Sequence, residues 1–366
     1  MSLIHQIALS LIKNVGPVTA KTMLAYAGSA ENIFEINPKR FLKAYGIGQK
    51  TIDQLDLKSA LVLAEKEAEY IYKHNIDAIF ITDPRYPKRL KACNDAPVLL
   101  YAQGNMDLNA QRIISVVGTR KATAYGKDLC RELVEELQQY GALVVSGLAY
   151  GIDVTIHKEC VKINVPTIGV LGHGLDRLYP AAHHSVAEKM RLNGGLLTEY
   201  PSGTAPDREN FPARNRIVAG IADATIVVEA GIKGGALITA EIANSYNRDV
   251  FAFPGRVNDE FSEGCNFLVR HHKAALLMSA ADLAYTLGWE KDDQKPTAKT
   301  NQLIMAMDLN ADERLIIEVL NQNKGIAIDE LTLKMAMPVS QLTMNLLNLE
   351  MQGFIRSMPG KTYVVV

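Results

Sequence analysis

Between residues 112 and 278 the chain repeats one local grammar: a short, nearly unbroken apolar run, a glycine-rich turn, then apolar residues at helical spacing. Residues 113–117 are closed by Gly118-Thr119-Arg120 and followed by helical spacing over 122–140. Residues 142–145 end in Ser146-Gly147-Leu148-Ala149-Tyr150-Gly151 ahead of a helical segment at 153–162. The pattern recurs at 166–171 before Gly172-His173-Gly174, at 195–198 before Glu199-Tyr200-Pro201, at 225–228 before Glu229-Ala230, and at 249–253 before Pro254-Gly255-Arg256, with 275–278 as a last candidate. A strand with one face in water alternates apolar and polar residues, whereas a run that is apolar throughout is buried on both faces. Six or seven such runs, each feeding a helix, predict an α/β fold with a parallel sheet covered by helices on both sides. In that architecture ligands sit at the carboxyl ends of the strands, where these turns collect.

One stretch says what such a ligand is. Residues 207–243 place Arg208, Arg214 and Arg216 beside Asn215 and Phe211, then a buried run and the turn Gly231-Ile232-Lys233-Gly234-Gly235 at the start of a helix. Guanidinium groups are permanently charged planar forks suited to phosphate, and an adjacent aromatic ring offers a stacking platform. A glycine turn entering a helix presents backbone N–H groups to an anion, with Lys233 adding a mobile charge. Arg120, just after Gly118, stands where another such turn attracts phosphate. The competing reading pairs the arginines with Asp207, Glu209 and Asp223 as surface ion pairs and puts Phe211 in the core. The first turn, GTRKATAYG, lacks G-x-G-x-x-G spacing and no P-loop occurs, so a dinucleotide or P-loop enzyme is not indicated.

The ordered set VVGTR, VSGLAYGID, GVLGHGLDRLYP, LLTEYP, FPARNRIVAG, VVEAGIKGGALITAEIA, VFAFPGR and GCNFLVR resembles the DprA/Smf family of bacterial DNA-processing proteins over residues 116–270. The resemblance implies an extended Rossmann-like domain that binds and protects single-stranded DNA, forms a homodimer and helps load the RecA recombinase in natural transformation. It implies no cofactor, no metal and no catalytic residue. Carried onto this chain, the family's nucleic-acid-binding positions are Gly118, Arg120, Ser146, Gly147, Arg208, Phe211, Arg214, Asn215, Arg216, Lys233, Gly234 and Gly235. The turn departs from the family in reading KGGALITA where many relatives read SGSLITA, which exchanges a hydroxyl donor for backbone N–H groups. A different class of function is a nucleoside-monophosphate hydrolase built on a related sheet. Its P-G-G-x-G-T-x-x-E turn is not reproduced at residues 231–241, where only Glu241 survives as a candidate acid.

Composition bounds the same reading. A formal net charge of −1 over 366 residues means that nucleic-acid affinity must come from a local patch. Cys93, Cys130, Cys160 and Cys265 lack C-x-x-C spacing and read as reduced thiols, and no run reaches the length of a membrane span, so a soluble cytoplasmic protein is expected. His183-His184 and His271-His272 complete no metal motif and read as solvated or phosphate-adjacent, while Asp153 and His157 have the spacing of a simple helix pair. Ser146 has no sequence-visible base.

The two ends add smaller modules. Asn14-Val15-Gly16-Pro17-Val18-Thr19-Ala20-Lys21 and Tyr45-Gly46-Ile47-Gly48-Gln49-Lys50-Thr51 both resemble helix-hairpin-helix turns that hold a DNA phosphate, or a helical packing module without DNA contact. Residues 1–67 are therefore expected as a helix-hairpin-helix or SAM-like helical domain, 68–288 as the Rossmann-like DNA-binding domain and 289–306 as a polar linker. Residues 307–366 are expected as a winged helix. Its would-be recognition helix, SQLTMNLLNLEMQG, carries no basic residue, so a protein-contact or structural role is expected there, with Met335, Met337, Met344 and Met351 as core filling.

Overall fold

Strands that are apolar on both faces need a core on each side, and this chain supplies two. The computed structural model describes residues 2–290, 310–321, 326–335, 337–352, 354–358 and 362–365. It falls into two units, Met1–Asp292 and Asp293–Val366. The first is built on a nine-stranded sheet: β1 (Asp77–Phe80), β2 (Leu99–Asn105), β3 (Ile113–Val117), β4 (Leu143–Ser146), β5 (Thr167–Val170), β6 (Gly194–Thr198), β7 (Ala224–Val227), β8 (Asp249–Ala252) and β9 (Ala275–Leu276), in the order β1-β2-β6-β5-β4-β3-β7-β8-β9. From β6 to β9 every neighbour is parallel; β1 and β2 add an antiparallel edge.

Every residue of β3 to β7 is buried. Alternation sends Ile114 and Val116 of β3 and Ile226 of β7 into one core, and Ile113, Val117 and Val227 into the other. The first core is closed by α7 (Ala124–Gln138), α8 (Ile152–Lys162) and α13 (Ala280–Leu287), through Leu133, Leu137, Ile156 and Leu283. The second is closed by α10 (Asn210–Ile221) and α11 (Gly235–Ser245). It continues without a break into the amino-terminal helices α1 (Leu3–Leu11), α2 (Pro17–Ala27) and α5 (Leu57–Lys73), whose Ile7, Leu9, Met23 and Ile71 share it with Leu99 and Leu100 of β2. Helix α5 runs across the boundary expected at residue 67. The chain steps outward from β3 to β6 and then returns beside β3 with β7, which puts a topological switch point at the carboxyl ends of the central strands.

Polar clamps fix this frame. Arg89 holds Asp223 with two bonds (Nε–Oδ1 2.6 Å, Nη2–Oδ2 2.9 Å) and donates to the carbonyls of Ala110 and Gln111, while Asp223 accepts the Ile113 N–H. Asp223, considered from sequence as a partner of the arginines at 208–216, thus belongs to Arg89. Trp289 packs against the core under α7, with Arg112 5.9 Å from its ring, and Arg112 also donates to the Glu290 carbonyl. The expected linker beyond residue 290 lies outside the described residues up to 309.

The second unit has the winged-helix order: α14 (Ala311–Asn321), β10 (Ile326–Ala327), α15 (Ile328–Met335), α16 (Val339–Met351), β11 (Ile355–Met358) and β12 (Thr362–Val365), with strand order β10-β12-β11. Ile316, Leu331, Leu346 and Ile355 form its core, and Met335 and Met337 pack against it as expected. Met344 and Met351 do not: they are 62% and 81% exposed on α16 together with Leu347, because Leu342, Leu346 and Leu349 already fill the inward face. The turn expected at Pro359-Gly360 lies outside the described residues. Among the described residues no helix is long and apolar enough to cross a membrane.

Arg89→Ala removes a two-pronged, half-buried ion pair and two carbonyl contacts and leaves Asp223 with only the Ile113 N–H. The expected loss is about 2 to 4 kcal/mol of unfolding free energy, read from urea denaturation of the variant against the parent.

Candidate functional site

The turns after β3, β4 and β7 and the first turns of α10 and α11 enclose a cleft of about 770 Å³ at the switch point. Its shape depends on close contacts that admit only glycine at a few positions. A side chain on Gly118 would stand 2.4 Å from Ile152, and one on Gly151, at φ +77°, would stand 2.1 Å from the Thr119 carbonyl. The β3 and β4 turns are thereby knitted together, with the Ile152 N–H donating to the Thr119 carbonyl at 3.1 Å. Glu229 at the end of β7 is buried and accepts from Thr123 N–H, and its carbonyl accepts from Thr119 N–H at 2.7 Å, which fixes the loop that carries Arg120.

Arg214 is the floor of this cleft and is buried. Its Nη1 donates to the Gly147 carbonyl at 2.6 Å and to the Val170 carbonyl, and its Nε donates to Asn215 Oδ1 at 3.1 Å. A side chain on Gly147 would lie 2.6 Å from both Arg214 Nη2 and Asp153 Oδ2, so Gly147 is glycine to let these two groups approach. Burial pushes the Asp153 carboxyl up, against the opposing pull of Arg214 and of the Ala149 N–H, which donates to it at 3.3 Å. Burial likewise lowers Arg214, against the pull of Asp153. A guanidinium stays charged through such a shift.

The wall is aromatic and cationic. Phe211, three residues before Arg214 and on the same side of α10, has its ring 6.0 Å from that of Tyr179 and 5.7 Å from the guanidinium carbon of Arg120. Tyr179 is half exposed, and its backbone N–H donates to His173 Nε2 at 3.2 Å, while His173 Nδ1 meets the Gly174 carbonyl at 2.8 Å. The Gly174 carbonyl accepts from Nδ1–H and Nε2 accepts from Tyr179 N–H, so His173 is neutral, and burial lowers its pKa. Arg120 and Arg208 are exposed, and neither forms an ion pair or a side-chain hydrogen bond among the described residues.

The structure brings together nine of the residues expected from sequence: Gly118, Arg120, Gly147, Arg208, Phe211, Arg214, Asn215, Gly234 and Gly235 all line the cleft. Three do not line it. Ser146 is buried and donates to the Val116 carbonyl at 2.6 Å, which ties β4 to β3. Arg216 is turned away and held by Glu199, with Asp95 at 4.0 Å. Lys233 is exposed on the turn outside the lining. Tyr179 and Asp153 were missed; the only sequence signal for Tyr179 is an aromatic before proline in GVLGHGLDRLYP. Glu241, the candidate acid of a hydrolase, is paired with Lys273 at 2.5 Å and lies outside the lining.

Two histidine expectations are corrected. His183 is buried and braces the β4 turn through the Leu148 carbonyl at 2.9 Å, where Leu148 holds φ +57°. His157 does not pair with Asp153. Its Nδ1 meets Thr167 Oγ1 at 2.7 Å, and because the Thr167 hydroxyl donates to the Val144 carbonyl at 3.0 Å, Nδ1 must carry the proton. Nε2 is buried without a hydrogen-bond partner, so protonation there would strand a charge, and burial depresses the pKa to about 3.

A histidine depressed from 6.5 to about 3 contributes stability that is complete above pH 6.5 and is lost as pH falls through that window, because the unfolded chain binds the proton first. His157→Asn, which keeps a donor toward Thr167, is expected to flatten the acid side of the stability profile. Urea melts of parent and variant across this range read the difference, and the raised carboxyl of Asp153 is common to both.

Comparison with known proteins gives the family. Residues 77–288 match the family described as DNA recombination-mediator protein A, and residues 304–361 match the DprA winged helix domain. Protein Smf of Synechocystis sp. is 32% identical over 98% of this chain and 98% of its own length. DNA processing protein DprA of Bacillus subtilis is 39% identical over 58% of this chain and 71% of its own. DNA processing protein A of Streptococcus pneumoniae has a solved structure that superimposes with a TM-score of 0.66 at 29% identity, covering 79% of this chain and 99% of that one. A Helicobacter pylori structure, which describes the single-stranded DNA binding mode of that protein's DNA processing protein A, matches with a TM-score of 0.54 at 29% identity over 59% of this chain and 97% of that one. With both of its units matched and a relative aligned from end to end, this chain belongs to the DprA/Smf family of DNA-processing proteins.

Proposed function

We propose that the cleft binds single-stranded DNA. The observation that carries this reading is the row Tyr179, Phe211 and Arg120, two ring faces and an unpaired guanidinium in contact along one wall of an open cleft. Bases offer π-faces only when unpaired, and stacking tolerates any sequence. Arg120 and Arg208 meet phosphates at the rim. Gly235, also in the lining, has no atom within 4 Å of where a side chain would stand, so glycine there leaves the backbone open to a close phosphate. Arg214 acts through position: its charge is already matched by two carbonyls and Asp153, and it orients Phe211 from one turn below.

On this reading the chain is a mediator without catalytic chemistry of its own, which protects incoming single strands and helps load the RecA recombinase as a homodimer. The support for these finer roles is family membership. The winged helix is proposed as a protein-contact or structural module, since α16 carries no lysine or arginine.

Arg120→Ala and Arg208→Ala are each expected to weaken binding of labelled oligo-dT by about 1 to 3 kcal/mol and to reduce its salt dependence, in fluorescence anisotropy titrations at several salt concentrations. Unchanged affinity and slope in both folded variants would show the cleft to be the wrong site. Competition by duplex of equal length should be markedly poorer than by single strand; equal competition refutes the stacking role of Phe211 and Tyr179.

Ending the chain after Glu290 should leave oligo-dT affinity within a few-fold of the full chain, because residues 1–292 form their own unit. A folded truncation with collapsed affinity would assign the winged helix to the strand or to the binding assembly.

A further inference from the structure

The two amino-terminal hairpins have similar sequences but opposite surroundings. In the first, Lys21 is engaged inside the protein: its Nζ donates to the Cys93 carbonyl at 3.2 Å and to the Asn94 carbonyl, so this turn docks the helices onto the sheet-bearing unit. Burial accordingly lowers its pKa. The second hairpin has no such duty. Residues 38–54 carry Lys39, Arg40, Lys43 and Lys50 against a single acid, Asp53, in a chain of net charge −1. All four cations are exposed, and none forms an ion pair or hydrogen bond among the described residues. Asp53 is occupied by the Gln49 side chain at 2.7 Å.

Several exposed cations elsewhere on the described surface are paired. Arg85, Arg131, Arg177, Arg191 and Lys273 each have a carboxylate within 3.0 Å. In the second hairpin Phe41, fully buried and 5.5 Å from the Tyr26 ring, anchors the 3₁₀ helix Pro38–Lys43, while Ile47 and Ile52 anchor the turn and the helix after it. With three residues per turn, Arg40 and Lys43 stand one above the other on a side that Phe41 does not occupy. Tyr45 is 97% exposed in the connecting turn. Gly46, at φ +77°, and Gly48 have no atom within 4 Å of where a side chain would stand, so the main chain there is open to a ligand's approach.

We propose that this hairpin is a second nucleic-acid site, separate from the cleft, at which Lys39, Arg40, Lys43 and Lys50 hold the phosphodiester backbone of DNA and Tyr45 lies against it. A cluster of unpaired cations around an exposed ring and bare backbone is the local basic footprint that an otherwise neutral chain needs to hold a polyanion. That the polyanion is DNA follows from the family, and the proposal stands or falls independently of the cleft. Phosphates are common to single strands and duplexes, and the two are separated by experiment.

The full chain carrying K39Q, R40Q, K43Q and K50Q together is titrated with labelled oligo-dT and with a duplex of equal length, across a salt series, beside the double cleft variant R120A and R208A. The changed side chains are exposed and unpaired, so an unaltered melting temperature is expected and confirms folding. The hairpin variant should lose at least about tenfold in affinity at low salt, with a salt slope shallower by roughly two to four, given about 0.7 to 0.9 per phosphate contact. Loss on both probes, or on one alone, supports the site and identifies its source of phosphate. Duplex binding retained by the cleft variant should vanish when the hairpin changes are added, and Y45A should weaken binding less than the four charge changes. Unchanged affinity and slope on both probes overturn the proposal. A cleft variant that binds normally beside a hairpin variant that does not would refute the cleft reading instead.

Discussion

The site rests on a buried cation whose hydrogen bonds all close within the protein. Removing a guanidinium from water is costly unless its donors are matched, and here the carbonyls at the ends of β4 and β5 and the Asn215 side chain accept from its Nη1 and Nε, with the Asp153 charge offsetting its own. Arg214 therefore binds two strand ends and the helix α10 into one body. Gly147 has to be bare so that the arginine and the aspartate can share the space beside it. Phe211, one turn earlier on the same helix, inherits its position from this anchor.

Around the anchor, buried imidazoles serve as braces. His173 accepts the Tyr179 N–H, His183 meets the Leu148 carbonyl, and His157 meets Thr167. Each ring reaches from one turn or element to another, and burial depresses His157 and His173. The interior beneath the cleft thus closes its polar groups, the Arg214 guanidinium included, on partners within the protein, with the exposed positive charge placed on Arg120 and Arg208 at the rim. The polar groups that define shape and those free to meet an anion are different residues.

The parallel sheet was readable because burial on both faces leaves a local trace, an unbroken apolar run before a turn, at each of β3 to β8. The antiparallel edge was not read as a pair of strands, since β1 has an exposed start and β2 an exposed end, and their pairing is long-range. Nine residues that line the cleft were legible through motif order. The division of labour among the arginines was not: Arg208, Arg214 and Arg216 are alike in sequence, but Arg208 stands at the rim ahead of α10, while the register of α10 turns Arg214 to the floor and Arg216 to Glu199. Tyr179 was missed because its link to Phe211 is long-range, joining the loop after β5 to helix α10. Met344 and Met351 were misassigned because an uncharged helix face gives no sequence sign of which apolar residues the core accepts.

The separation of floor from rim has a consequence for release. Mobile ions screen charges exposed to solvent but reach buried pairs poorly. Raising ionic strength therefore loosens whatever Arg120 and Arg208 hold while leaving the Arg214 network assembled. On the proposed reading, occupancy and integrity of the cleft are decoupled: a bound polyanion leaves without local unfolding, and the next one meets walls already in place.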